Sequence, residues 1–177
     1  PDKLGPQEAK GETILDVDDI GDGARFRNVS FNLRKGEILG IGGLVGSGRT
    51  ETLAAIFRAT QLDAGSMMLN GKPYRPTHPR EALDAGVALV PEDRKNQGLH
   101  LRLPINTNIE LASLAAMSSG PWVRRKRGAK IVERFFSELR IKAATPTMPV
   151  GALSGGNQQK VALAKVLATK PRILLLD

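Results

Sequence analysis

Hydrophobic positions change period along this chain, and each change marks a different element. Ile14-Leu15-Asp16-Val17 reads as a short strand. Between Phe26 and Leu33, apolar Val29, Phe31 and Leu33 alternate with polar Ser30 and Asn32, as a half-buried strand requires. Arg34-Lys35-Gly36 is a turn, and Glu37 to Ile41 is a short apolar run suited to a buried strand. From Thr50 to Arg58 the period lengthens, with Leu53, Ile56 and Phe57 at helical spacing. Gly65 to Gly71 returns to strand character and closes on the hairpin-turn pair Asn70-Gly71. Pro79 to Ala85 predicts a short helix, with Pro79 in its first turn and Gly86 just past its end. His78 falls at its cap position and reads as a surface or capping histidine. Val87 to Val90 is apolar without interruption, the pattern of a central parallel strand covered on both faces.

The second half is mostly helical. Ile105 to about Ala143 carries one helix from Asn108 to Met117, a break at Gly120-Pro121, and a longer helix from Arg124 to Leu139. Ile131, Val132, Phe135, Phe136 and Leu139 share a face of that helix, which reads as subdomain core rather than a partner groove. Thr145 to Gly151 is an irregular, proline-containing link. A last helix runs through Val161, Leu163, Ala164, Val166, Leu167 and Ala168, closed by Pro171, before the buried strand Ile173-Leu174-Leu175-Leu176 reaches Asp177. Residues 1–12 are polar and without period, a linker or tail.

Composition narrows the classes. With 177 residues, 41% hydrophobic and 25% charged, the chain is one domain or most of one, in the soluble globular range. It has no cysteine, hence no disulfide framework and no thiolate metal site, and two histidines are too few for a histidine-rich centre. No stretch has the apolar length to cross a bilayer and no secretory segment opens the chain, so a cytoplasmic location is expected. The net charge of +8 invites nucleic acid, anionic lipid or nucleotide as partners. A missing acidic remainder is the favoured source of most of it, since the chain starts at Pro1 and stops at Asp177 straight after an apolar run. Arg124-Arg125-Lys126-Arg127, just after Trp122, leaves contact with phospholipid or nucleic acid open but reads first as a solvated helix start.

Four places carry candidate chemistry. Gly43-Leu44-Val45-Gly46-Ser47-Gly48-Arg49-Thr50 matches the phosphate-binding template G-x-x-x-x-G-K-[ST] everywhere except the lysine, which is Arg49. Strand, glycine loop and helix in that order bring backbone N–H groups and a helix N-terminus onto an anion. Leu153-Ser154-Gly155-Gly156-Asn157-Gln158-Gln159-Lys160 opens the last apolar helix and forms a second anion cradle. Pro91-Glu92-Asp93-Arg94-Lys95 is a charged loop at the carboxyl end of a strand, where open α/β sheets place ligand groups. Asp177 ends its strand where phosphate-loop enzymes hold Mg²⁺.

Taken together, the phosphate loop, the LSGG run and the strand ending in Asp177 resemble the nucleotide-binding domain of an ABC transporter from about Ile14 onward. Arg49, the Pro91–Lys95 loop and the extended LSGGNQQK are similar to the second ATPase domain of tandem ATPase subunits in bacterial monosaccharide importers of the ribose, xylose and galactose type. A nucleoside-importing branch shares these traits. The resemblance implies an α/β fold of the P-loop NTPase type: a mainly parallel central sheet, an N-terminal antiparallel β portion and a helical subdomain, cut at the Walker B strand. On that plan 13–104 is the ATP-binding core, with its loop at 43–50 and a glutamine-loop equivalent at 91–98; 105–151 is the helical subdomain and 152–177 the signature, helix and Walker B strand.

By the same resemblance the chain binds ATP and Mg²⁺ and hydrolyses ATP to drive uptake of a sugar. Gly43, Gly46, Ser47, Gly48, Arg49 and Thr50 would contact nucleotide, with Thr50 and Asp177 at the metal. Ser154, Gly155, Gly156 and Gln158 would close over a nucleotide held by a second domain paired head to tail. Glu92 and Asp177 would be the catalytic carboxylates. Implied partners are that second domain, transmembrane permease subunits and, indirectly, a periplasmic or extracellular sugar-binding protein, with no nucleic acid. The implied location is the cytoplasmic face of the bacterial inner membrane, peripherally bound. Departures temper the match. Arg49 is longer and forked where lysine is a point charge, and Glu92 stands where a neutral glutamine orients water. No aromatic marks the adenine position around Ile20 to Gly23, with Phe26 a substitute. The general-base glutamate expected after Asp177 lies outside the chain, so a non-hydrolysing half that lends its signature to a partner is the alternative. A chromosome-associated ATPase head is set aside, because the stretch between the motifs lacks sustained heptads.

Overall fold

The computed structural model describes residues 11–114, 118, 119, 122, 123 and 125–177. Residues 1–10 of the linker expected at 1–12, the helix end at 115–117, the break at Gly120-Pro121 and Arg124 lie outside the described residues. The chain divides into two units, Pro1–Ala82 and Leu83–Asp177.

The first unit is built on a four-stranded antiparallel sheet in the order β2-β1-β3-β4. Its strands are β1 Thr13–Gly21, β2 Val29–Arg34, β3 Ala64–Leu69 and β4 Lys72–Pro73. Central β1 buries Leu15, Val17 and Ile20 and exposes Asp16 and Asp18. The step from 17 to 20 breaks a strict alternation, and the pairing shifts register between those residues. Asp19 has φ +50 there, its backbone N–H donates to Ser30 Oγ at 2.8 Å, and its carboxylate accepts from Asn28 Nδ2 at 2.7 Å. This bulge returns Ile20 to the apolar face. β3 and β4 are joined through Asn70 (φ +49) and Gly71 (φ +73), the two-residue turn read from the sequence. Helix α1, Arg49–Ile56, buries Thr52, Ala55 and Ile56. Tyr74 donates its hydroxyl to Ile56 O at 3.1 Å, and burial pushes that phenol well above its ordinary range.

Two expectations change here. β2 starts at Val29, not Phe26, because residues 22–26 are taken up by a turn around the Asp22 carboxylate. The strand expected at Glu37 to Ile41 does not form: no ladder engages it among the described residues. Ile38 is 97% and Val45 99% exposed, and Leu39, Ile41 and Leu44 are exposed as well. An apolar run has the side chains for a buried strand, but hydrogen-bonded neighbours make it one.

In the second unit β5, Val87–Val90, pairs in parallel with β8, Ile173–Leu176, in the register Val87↔Ile173 to Val90↔Leu176. This pair is the parallel element among the described residues. α2, Pro79–Asp84, precedes β5, and Gly86 at φ +87 turns the chain between them. His78 caps α2 as expected, its Nδ1 accepting the Arg80 N–H at 3.1 Å. The core joins Ile105 and Ile109 of α3 (Ile105–Leu111), Val132 and Phe135 of α4 (Arg125–Glu138), and Val161, Ala162 and Ala164 of α5 (Gly155–Leu167). Ile131, Phe136 and Leu139 pack against it, so the stripe read from the sequence is core. α3 begins three residues before the expected Asn108 and ends at Leu111. Asn108 is fully buried inside it: Oδ1 accepts from His100 N, and Nδ2 donates to the carbonyls of His100, Leu103 and Pro104. β6 (Ser118–Ser119) and β7 (Trp122–Val123) pair antiparallel where only a break was expected.

Candidate functional site

Each unit carries one candidate anion cradle at the head of a helix. In the first, residues 43–47, 49 and 50 are exposed and Gly48 is buried. Gly46 and Gly48 both have φ +82, a left-handed conformation that costs glycine little. Gly48 has a second reason: a Cβ there would lie 2.6 Å from Phe26 Cβ and 2.8 Å from Arg25 O. A Cβ on Gly43 would collide with the Ser47 hydroxyl, whereas at Gly46 the space is open. Ser47 N–H donates to Leu44 O at 3.1 Å, tightening the loop. Gly48 is the N-cap of α1, and Thr52 closes the first intrahelical bond to its carbonyl with both N–H (2.8 Å) and hydroxyl (2.7 Å). That bond fixes the start of the helix, and apart from Gly48 the loop leading into it is exposed.

Beneath Gly48 the floor is set by Asp22. Its carboxylate accepts from the N–H groups of Ala24, Arg25 and Phe26 and from Arg25 Nε at 2.8 Å. Desolvation pushes this carboxyl up, but the combined hydrogen bonds from Arg25, Phe26 and Ala24 outweigh it and hold it well below the usual carboxylate range. Phe26 is 5% exposed, so it packs under the loop and shows no open ring face for stacking. Neither Asp22 nor Thr52 stands out in the sequence, because their work is on backbone groups.

The second cradle is braced by side chains. Ser154 enters α5 extended (φ −60, ψ 155) and exposed, and Gly155 and Gly156 follow, also exposed. Ser154 Oγ accepts from Asn157 Nδ2 at 3.0 Å, and Asn157 Oδ1 accepts from Lys142 N at 2.8 Å. Gln158 is turned inward, 6% exposed, its amide donating to Leu153 O at 3.0 Å and to Val150 O at 3.5 Å. Arg94 Nε donates to Gln158 Oε1 at 3.4 Å. The geometry makes Gln158 a support behind the loop. Gly156 has open space where a Cβ would point.

The carboxyl ends of β5 and β8 bring Glu92 and Asp177 to one edge. Asp177 is half-buried and its N–H donates to Val90 O at 3.1 Å, while Glu92 is exposed and its carbonyl accepts from Arg94 N at 3.0 Å. Side-chain and backbone hydrogen bonds from Asn96, with the Lys95 N–H, hold the Asp93 carboxyl below its ordinary range. Lys165 donates to Gly98 O at 2.8 Å, and desolvation lowers its ammonium. Among the described residues no group of three or more His, Cys, Asp or Glu could hold a metal, and no helix is long and apolar enough to cross a membrane.

The donor set at both cradles is backbone N–H, hydroxyl and guanidinium, which suits an anion. A family model described as ABC transporter matches residues 26–177. The chain belongs to the ABC transporter family. It is 44% identical to the ribose import ATP-binding protein RbsA of Geobacillus kaustophilus, over 94% of this chain and 34% of that protein. It is also 44% identical to a putative ribose/galactose/methyl galactoside import ATP-binding protein of Rhizobium meliloti, over 100% of this chain and 35% of that one. The chain thus spans about a third of the length of these relatives. Among solved structures it is similar to an ATP-binding cassette in a dimeric, post-hydrolysis state bound to ADP and Pi (TM-score 0.76, 23% identity, covering 93% of this chain and 73% of that one). It is also similar to cbiO1 of Clostridium perfringens (TM-score 0.74, 19% identity, 94% and 65% covered). These likenesses place the chain in the ABC ATPase fold, of the P-loop NTPase type.

Proposed function

We propose that this chain is a nucleotide-binding domain of an ATPase subunit that drives sugar uptake, and that it corresponds to the second half of a tandem pair. The observation that carries the reading is the open, glycine-shaped loop at the head of α1, in a chain 44% identical to ribose and galactose import ATP-binding proteins. On this reading Gly43, Gly46, Ser47 and Gly48 present amides to the triphosphate and Arg49 supplies the cation that lysine supplies elsewhere. The Thr50 hydroxyl and the Asp177 carboxylate are each an oxygen donor of the kind Mg²⁺ takes, and the ion would complete its shell with phosphate and water. Bound Mg²⁺ would neutralise phosphate charge.

Ser154, Gly155 and Gly156 serve a nucleotide on a partner domain, paired head to tail, and Gln158 holds their loop in shape. Arg49 and Glu92 both point to weak hydrolysis at this chain's own loop: a fork replaces a point charge, and a carboxylate stands at the position where the family has a neutral glutamine. The assembly sits on the cytoplasmic face of the bacterial inner membrane, against permease subunits fed by a sugar-binding protein. The full-length subunit, reconstituted with its permease, tests this reading by ATP turnover and sugar uptake. Ser154→Arg is expected to abolish coupled turnover, and Arg49→Ala to change it by less than about threefold. Turnover untouched by Ser154→Arg would overturn the signature's role.

A further inference from the structure

The segment after β5 is fastened along one stripe of α5. Asp93 starts a π-type turn, Arg94–Gly98, accepting from the N–H groups of Lys95 and Asn96 and from Asn96 Nδ2 at 2.6 Å. Three ties follow. Arg94 Nε donates to Gln158 Oε1 at 3.4 Å, and a Cβ on Gly155 would lie 2.8 Å from Arg94 Nη2. Gly98 lies against Ala162, whose Cβ is 3.9 Å from where a Gly98 Cβ would be. Lys165 Nζ donates to Gly98 O at 2.8 Å. Gln158, Ala162 and Lys165 are spaced four and three residues apart, one face of the helix.

Gln158 links this tie to the chain entering the signature. Backbone carbonyls only accept, so its amide nitrogen must face Val150 O and Leu153 O, which leaves Oε1 for Arg94. A guanidinium beside Gly155 stands at the helix end whose dipole repels cations. Attraction to the helix therefore does not hold Arg94 there; the turn and the Gln158 bond do. A guanidinium bonds through Nε while its Nη2 reaches the glycine, which an ammonium cannot do.

We propose that Arg94 is a positioning residue that clasps the first turn of α5 through Gln158 and Gly155. The Glu92-bearing loop and the signature glycines then move as one body. The functional consequence rests on the reading of Ser154–Gly156 as a loop that closes over a partner's nucleotide. Hydrogen exchange and turnover of the full-length subunit separate the two. In the nucleotide-free protein, Arg94→Ala is expected to speed exchange across residues 153–160 by roughly fivefold, the scale of one hydrogen bond lost, and Arg94→Lys to do the same. Exchange across 49–56 stays as in the wild type. Unchanged exchange at 153–160, or an equal change in both segments, overturns the clasp.

In the assembled transporter, Arg94→Ala is expected to lower kcat roughly fivefold with KM held within about twofold. Arg94→Ala combined with Gln158→Leu should lose no more than the worse single variant. Fully additive losses overturn the clasp. Faster exchange with wild-type kcat upholds the clasp and overturns the closing-loop reading instead.

Discussion

The two cradles reach the same shape, exposed amides at the head of a helix, by opposite means. At α1 the loop is shaped by backbone: two glycines at φ +82, a third with no room for a side chain, and a floor pinned by the Asp22 carboxylate. At α5 the glycines need no left-handed backbone, and the loop is held by amide side chains, Asn157 outside and Gln158 inside. The first design is intolerant at single backbone positions and leans on one carboxylate beneath the loop. The second is open at Gly156 and sensitive to two amides behind it.

Gly48→Ala should cause the largest loss, because strain and collision coincide: left-handed backbone plus a Cβ against Arg25 O and Phe26 Cβ. A loss of about 3 kcal/mol is expected from denaturant midpoints. A loss below about 1 kcal/mol would mean that the floor yields and the contrast is false. Gln158→Leu comes next, at about 2 kcal/mol, since it strips partners from buried Leu153 O. An unchanged midpoint would show that water replaces the amide. Gly46→Ala shares the backbone angle of Gly48 but meets open space, so about 1 kcal/mol is expected. Equal losses at 46 and 48 would remove the role assigned to the floor.

The smallest effect is a pH dependence. The folded Asp22 carboxyl titrates below its unfolded value, so the unfolded chain binds more protons in between and stability falls as pH falls. The stabilisation is present in full above about pH 4 and is lost progressively below it. Melting curves from pH 6 to 3 should therefore fall more steeply for the wild type than for Asp22→Asn. Parallel curves would show that the floor does not depend on that charge.

Much of the plan could be read from side-chain periods and special residues: the Asn70-Gly71 turn, the capped helix from Pro79, β5, the α4 face and both glycine loops. Each is a local signal with a local cause. What was hidden depended on partners distant in sequence. Glu37 to Ile41 has a strand's composition, yet composition supplies no ladder, and Ile38 stands in solvent. Asn108 reads as a helix start and Gln158, by the resemblance, as a nucleotide contact, but carbonyls at 100–104 and 150–153 turn both inward. The chain enters α3 through Pro104, so that helix starts at Ile105, three residues before the expected Asn108. Asp22 and Asp93 are unremarkable acids until folding aims backbone N–H groups at them.

The Asn70-Gly71 hairpin has a practical use. A Cβ at Gly71 would have no neighbour within 4 Å, and both turn residues are exposed. A dye or short epitope grafted there would ride on the antiparallel sheet. The molecule therefore carries its own handle for optical recording.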